Sequence, residues 1–261
     1  MNGQSMQCPK CGAEQPDANL MCARCGIVFA KYYKYHPRRA GEAPATPPAP
    51  ISRARARTAH HGAAQGPDSL FFPATPGGDW LSLGARTTLW AVLLVWGLTL
   101  MLASVESGAV GRSFLHSVNL PFHEFGHILF RPFGQRVTSL GGTLGQLLMP
   151  AICCGVLLIQ TRDPFGAAVA LWWLGENFLD IAPYINDARA GVLPLLGGNF
   201  GDSSPYGFHD WQYLLGETGL LEWDHGIARL SRVLGCLVMV LALAWGAWLL
   251  VRRFGYLNRR D

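Results

Sequence analysis

Between Thr88 and Val105 the chain runs for 18 residues without a charged side chain. At the helical rise of about 1.5 Å per residue, such a run approaches the hydrocarbon thickness of a bilayer, so it reads as a transmembrane helix. Leu147 to Gln160, Phe165 to about Tyr184, and Val233 to Val251 are further apolar runs. Half of the chain is hydrophobic and 15% of it is charged. In hydrocarbon the backbone must satisfy its own polar groups, which makes these runs helical. The expected fold is therefore mainly α: a polytopic helical membrane protein with four to five spans, a re-entrant motif helix and a small N-terminal zinc ribbon. The expected divisions are residues 1–36 for the ribbon, 37–80 for a linker and 81–261 for the membrane-embedded domain.

The segment from Ser113 to Phe130 breaks the apolar pattern. It carries His116, Asn119, His123, Glu124 and His127, and its centre reads His123-Glu124-Phe125-Gly126-His127. On a helix, residues four apart lie nearly above one another, so His123 and His127 face one way and can hold one Zn²⁺. Glu124 can reach a water at such a metal and take its proton. Ionisable groups in apolar surroundings need a partner or a metal. Pro121 suits a first helical turn and Pro132 ends the run, so the expected helix is Pro121 to Arg131, about half a bilayer long. His116 reads as a partnered polar group more readily than as a ligand.

The N-terminus has a second metal pattern. In Cys8-Pro-Lys-Cys11-Gly and Cys22-Ala-Arg-Cys25-Gly, ten residues separate Cys11 from Cys22. Two such knuckles offer four thiolates to one tetrahedral zinc, and the glycine after each permits the tight turn. A module this short needs its metal to hold together. Its role reads as structural or partner-binding, and Lys31 to Tyr35 as a solvated helix end. Cys153, Cys154 and Cys236 lie in apolar runs and read as buried, inert thiols. From Pro37 to about Asp79, Pro, Ala, Gly and Arg dominate, with Arg53, Arg55 and Arg57 alternating with small residues. That composition builds no core and reads as a disordered linker whose arginines can meet anionic headgroups. No secretory signal peptide is recognisable, because the first 40 residues are polar and cysteine-bearing.

After the motif, Arg136 to Gly142 reads as a short β-like run ending in a Gly141-Gly142 turn. Glu176, Asn177 and Asp180 occupy the second half of an apolar run, and Asp187 lies just beyond Pro183. Carboxylates there are costly and are functional candidates. Residues 188–228 read as a long loop containing Phe208-His209-Asp210-Trp211, followed by a piece able to lie in the interface as an amphipathic helix. The net charge of +4 sits mostly on arginines outside the apolar runs. This suits basic membrane flanks, with no nucleic-acid partner expected. An Arg-rich linker and an Arg-rich tail both argue for a cytoplasmic position, which four crossings plus a re-entrant motif segment satisfy.

With these residues assembled, the chain resembles the site-2-protease family of intramembrane zinc metalloproteases over about residues 88–190. The family's H-E-x-G-H is matched by His123-Glu124-Phe125-Gly126-His127, and Arg136 to Gly142 is similar to its short β-like segment with glycines. The resemblance implies peptide-bond hydrolysis in membrane-associated substrates, with Glu124 as general base and Zn²⁺ as cofactor. It also implies a third ligand from an Asn/Pro-containing stretch: Asp187 by analogy, with Asp180 as the alternative. His209 and Asp210 are the next candidates, because histidine is a common zinc ligand. The family's Leu-Asp-Gly is not matched, since no glycine follows Asp180 or Asp187. A second likeness, to a group of bacterial membrane proteins with the same His-Glu-Phe-Gly-His and a later His-Asp-Trp, brings no activity with it. The location implied is a bacterial inner membrane with the ribbon in the cytoplasm. The partners expected are lipids, a membrane-protein or peptide substrate and a protein that meets the ribbon. Two non-enzymatic readings stand beside it. In one, a fourth ligand such as His209 closes the histidine site for metal handling, sensing or assembly. In the other, the chain is an adaptor whose essential metal sits in the ribbon.

Overall fold

The computed structural model describes residues 5–16, 19–36, 71, 79–194 and 209–259. All of the expected linker apart from Phe71, Asp79 and Trp80 lies outside the described residues. The chain divides into two compact units, Met1–Ala64 and Gln65–Asp261.

In the first unit, β1 (Ser5–Gln7) and β2 (Glu14–Pro16) pair antiparallel, with Met6 opposite Gln15. The first knuckle turns between them: Gly12 N–H donates to the Cys8 carbonyl at 2.8 Å, and Gly12 takes a φ of 70°. Gly26 repeats the turn at the second knuckle, donating to the Cys22 carbonyl at 2.9 Å with a φ of 72°. Both glycines therefore occupy the left-handed region where a Cβ is penalised. Helix α1 (Phe29–Tyr35) follows, and Phe29 packs with the buried Cys8 and Cys22.

The second unit is built from α2 (Trp80–Leu102), α3 (Phe114–Phe130), α4 (Gln135–Ile159), α5 (Pro164–Asn186), α6 (Asp210–Thr218) and α7 (Asp224–Leu257). Three stretches are long and apolar enough to cross a membrane: Trp80–Leu102, Gln135–Ile159 and Leu221–Leu257. Among the described residues this is fewer than the four or five expected. Their outward sides are apolar, with Val92, Val95, Ile152, Ile159, Leu237 and Leu241 all exposed, as suits a protein whose solvent there is lipid. The unit is consistent with a membrane protein.

Helix α5 is 23 residues long, yet it carries Glu176, Asn177 and Asp180 on buried positions. It packs most extensively against α7, and also against α4 and α2. Gly175 and Gly235 let α5 and α7 approach: a Cβ on Gly175 would stand 2.9 Å from the Gly235 carbonyl oxygen. Trp90 of α2 donates through Nε1 to the Leu243 carbonyl of α7 at 2.9 Å, and Arg86 pairs with Asp163 at 2.9 Å. Cys153, Cys154 and Cys236 are free and only partly buried, so the expectation of burial holds in part.

Two local expectations are corrected. The motif helix does not begin at Pro121. It begins at Phe114, where the Ser113 side chain accepts from Leu115 N–H, and Pro121 lies within it. The flanking polar residues His116 and Asn119 find buried partners on α5, which keeps the turns before the proline helical. Arg136 to Gly142 is not a strand; it is the opening of α4. Its glycines serve as a flat helix surface against α3. A Cβ on Gly126 would lie 2.0 Å from the Gly141 carbonyl oxygen, and one on Gly145 would lie 2.3 Å from that of Phe122. Small residues let membrane helices touch backbone to backbone.

This contact predicts that Gly126→Ala costs about 3 kcal/mol or more by overpacking. It should appear as a lowered unfolding midpoint in detergent. Gly155→Ala, whose Cβ meets nothing within 4 Å, should leave the midpoint in place. Equal midpoints for the two variants would contradict the close packing.

Candidate metal centre

Helix α3 points His116, Asn119, His123 and His127 inward while Phe125, Ile128 and Leu129 face outward. The spacing of three and four residues produces this division. His123 donates from Nδ1 to Gln146 Oε1 of α4 at 2.7 Å, and His127 donates from Nδ1 to the Thr138 carbonyl at 2.8 Å. Each imidazole is thereby fixed with its Nδ1 protonated and its Nε2 lone pair turned inward. That is the arrangement by which outer partners orient metal-binding histidines.

The two Nε2 atoms converge on Asp210 Oδ2, at 3.4 Å from His123 and 3.2 Å from His127. One ligand atom from each of His123, His127 and Asp210 lies within 4.8 Å of the others. Tyr184 steadies the carboxylate: its hydroxyl donates to Asp210 Oδ2 at 3.3 Å and accepts from the Asp210 N–H at 3.1 Å. Two inward-turned lone pairs and a carboxylate oxygen at these distances repel one another unless a cation lies among them. Gly142 completes the cradle. A Cβ there would fall 2.4 Å from His123 Nε2 and 2.6 Å from His127 Nε2, in the space the nitrogens face. Two imidazoles and one carboxylate are the donors of a zinc site with a position left open, so these residues fit the metal.

The other third-ligand candidates are engaged elsewhere. Asp187 accepts from Val192 N–H at 3.0 Å and Leu193 N–H at 2.9 Å, which fixes the chain after α5. Asp180 accepts from His116 Nδ1 at 2.8 Å and from Asn119 Nδ2 at 3.0 Å. His209 is fully buried; its Nδ1 accepts from Gln212 N–H at the start of α6, and its ring stacks on Tyr184 at 4.1 Å. The structure thus brings Asp210 to the pair, in place of Asp187, Asp180 or His209. Gln146 and Tyr184 carried little signal in the sequence, although Gln146 is the one side-chain amide between Arg136 and Ile159.

Glu124 is half-buried and lines a cavity of about 670 Å³ together with His116, His123, Gln146, Asp180 and Tyr184. Leu120, Ile181, Pro183, Leu193 and Pro194 make much of its wall apolar, and Arg112 adds a cation. The catalytic candidate and His123 of the pair therefore face one space.

In the N-terminal unit, Cys8, Cys11, Cys22 and Cys25 form a second cluster that could hold a metal ion. The sulfurs stand 3.6 Å apart for Cys8–Cys25 and for Cys11–Cys22, close to the edge of about 3.8 Å that tetrahedral Zn–S bonds of about 2.3 Å require. The backbone N–H of Cys25, with that of Arg24, pulls the Cys22 thiol down to about 6. For Cys11 the Ala13 N–H acts the same way, but loss of water and the three neighbouring sulfurs outweigh it and push that thiol up to about 12. Four thiolates this close repel one another, and a divalent cation relieves the repulsion. The cluster is consistent with a zinc ribbon.

Comparison with protein families, with curated proteins and with solved structures finds no match for this chain.

In protein whose four ribbon cysteines are replaced by serine, Asp210→Ala should abolish zinc retention while Asp187→Ala keeps it, and Gln146→Leu should weaken binding about 10- to 100-fold. Metal analysis after dialysis reads all three. Zinc lost with Asp187 and kept without Asp210 would overturn the assignment.

Proposed function

We propose that this chain is a membrane-embedded zinc hydrolase of the site-2-protease kind, cutting peptide bonds in membrane-associated substrates. The observation that carries the reading is the convergence of His123, His127 and Asp210 beside a cavity that Glu124 lines. When bound there, Zn²⁺ supplies Lewis acidity toward a carbonyl and toward water. Glu124 is the proton carrier: it takes a proton from the attacking water and returns it to the leaving amine. Gln146 and the Thr138 carbonyl keep both imidazoles in the metal-binding tautomer, and Tyr184 keeps Asp210 in register with them. The apolar walls suit a peptide segment unwound from a membrane helix. His209, which would close the shell of a purely structural site, is turned away toward Asp187, with Nε2 at 3.6 Å from Oδ2. That orientation favours an open site over the closed, purely structural one.

In this proposal α2, α4, α5 and α7 make four crossings and α3 is re-entrant, its 17 residues spanning about 25 Å. Arginines on the linker and tail place both termini in the cytoplasm of a bacterial inner membrane, where the ribbon meets a protein partner.

Glu124→Gln should keep zinc and lose at least about 100-fold in hydrolysis. The assay is cleavage of fluorogenic transmembrane peptides by the full chain in lipid nanodiscs. Undiminished cleavage by the variant would remove Glu124 from the mechanism. Absence of cleavage by a zinc-loaded wild type across a broad peptide set would favour the metal-handling alternative.

A further inference from the structure

Behind the cavity, α3 and α5 enclose a set of polar groups that the hydrolase reading does not use. Glu176 is 0% exposed. Its Oε2 accepts from Asn119 Nδ2 at 3.0 Å, while its Oε1 has no partner among the described residues. Asp180, one turn on, accepts from the same Asn119 Nδ2 at 3.0 Å and from His116 Nδ1 at 2.8 Å. The two carboxyl groups therefore share a single amide nitrogen, and only Asp180 has a cationic partner within reach. The titratable groups facing Glu176 are Asp180 of α5 and His116 of α3. Beside it in the chain, Asn177 is bonded by the uncharged Gln146 of α4, and Gly175 packs on Gly235 and Met239 of α7.

Two carboxylates so close in apolar surroundings cannot both stay ionised. Asp180 takes the charge, because His116 compensates it. No cation bonds Glu176 among the described residues, and it does not line the cavity of about 670 Å³, so burial favours its neutral, protonated form.

We infer that Glu176 and Asp180 form a proton-binding site, with one proton held on Glu176 while Asp180 keeps the charge that His116 compensates. The inference does not depend on the hydrolase reading.

Infrared spectroscopy of the full-length protein in nanodiscs tests this directly. The carbonyl stretch of a protonated carboxyl should persist at neutral pH, shift on exchange into D₂O, vanish in Glu176→Gln and remain in Asp180→Asn. Removing the like charge in Asp180→Asn should also move the midpoint at which the band disappears to lower pH. The second variant decides the matter if Glu176→Gln does not fold. A wild type without the band at neutral pH, a band that survives Glu176→Gln, or a midpoint unmoved by Asp180→Asn would each overturn the proposal.

Discussion

The backbones of α3 and α4 touch, and the arrangement of the histidine pair follows from that contact. Gly126, Gly141 and Gly145 leave no side chain between the two helices. At that separation His127 can reach a main-chain oxygen of α4, and His123 can reach the first amide side chain beyond it. A wider spacing would leave both Nδ1–H groups without acceptors and both rings free to turn. Lipid offers no hydrophobic drive for two apolar helices to associate, so the attraction comes from close packing and from polar bonds across the seam. Gly142 adds something the others do not: it keeps a volume clear in front of two nitrogens.

Asn119 plays the corresponding part between α3 and α5. Its amide nitrogen donates to Glu176 and Asp180, and its Oδ1 accepts from Trp173 Nε1 at 2.8 Å and Asn177 Nδ2 at 3.3 Å. Every hydrogen-bonding capacity of the side chain is used. Asn177 in turn accepts from Gln146 Nε2, and Gln146 holds His123. A satisfied network in a low-dielectric interior resists rotation of either helix about its axis. The direction in which the motif histidines point is thus set from two sides.

The helical character of the chain, its apolar runs and both sets of metal donors near the motifs were legible in the sequence, since periodicity and short spacing are local properties. His123, His127 and the four ribbon cysteines needed nothing distant to be recognised. Two things were not legible. Arg136 to Gly142 carries β-branched and glycine residues that locally favour an extended turn, and only the facing surface of α3 makes those glycines useful in a helix. Asp210 stands among the sequence candidates beside His209, but it lies 87 residues from His123, and no spacing rule singles it out. Asp187 looked nearer to a family pattern, but its oxygens are consumed by the backbone turn that follows α5. Three of the four to five expected crossings are matched by helices long and apolar enough; α5 carries buried polar groups whose partners are protein, which composition alone does not reveal.

The distance between the histidine pair and Asp210 bears on biosynthesis. As the chain emerges from the ribosome, α3 and α4 can meet early and orient both imidazoles. The carboxylate arrives only after α5 has docked and the segment carrying α6 has been made. Until then the donor set is incomplete and binds a divalent ion weakly. The site is therefore assembled last, and a nascent or truncated chain that ends before α6 lacks its third donor.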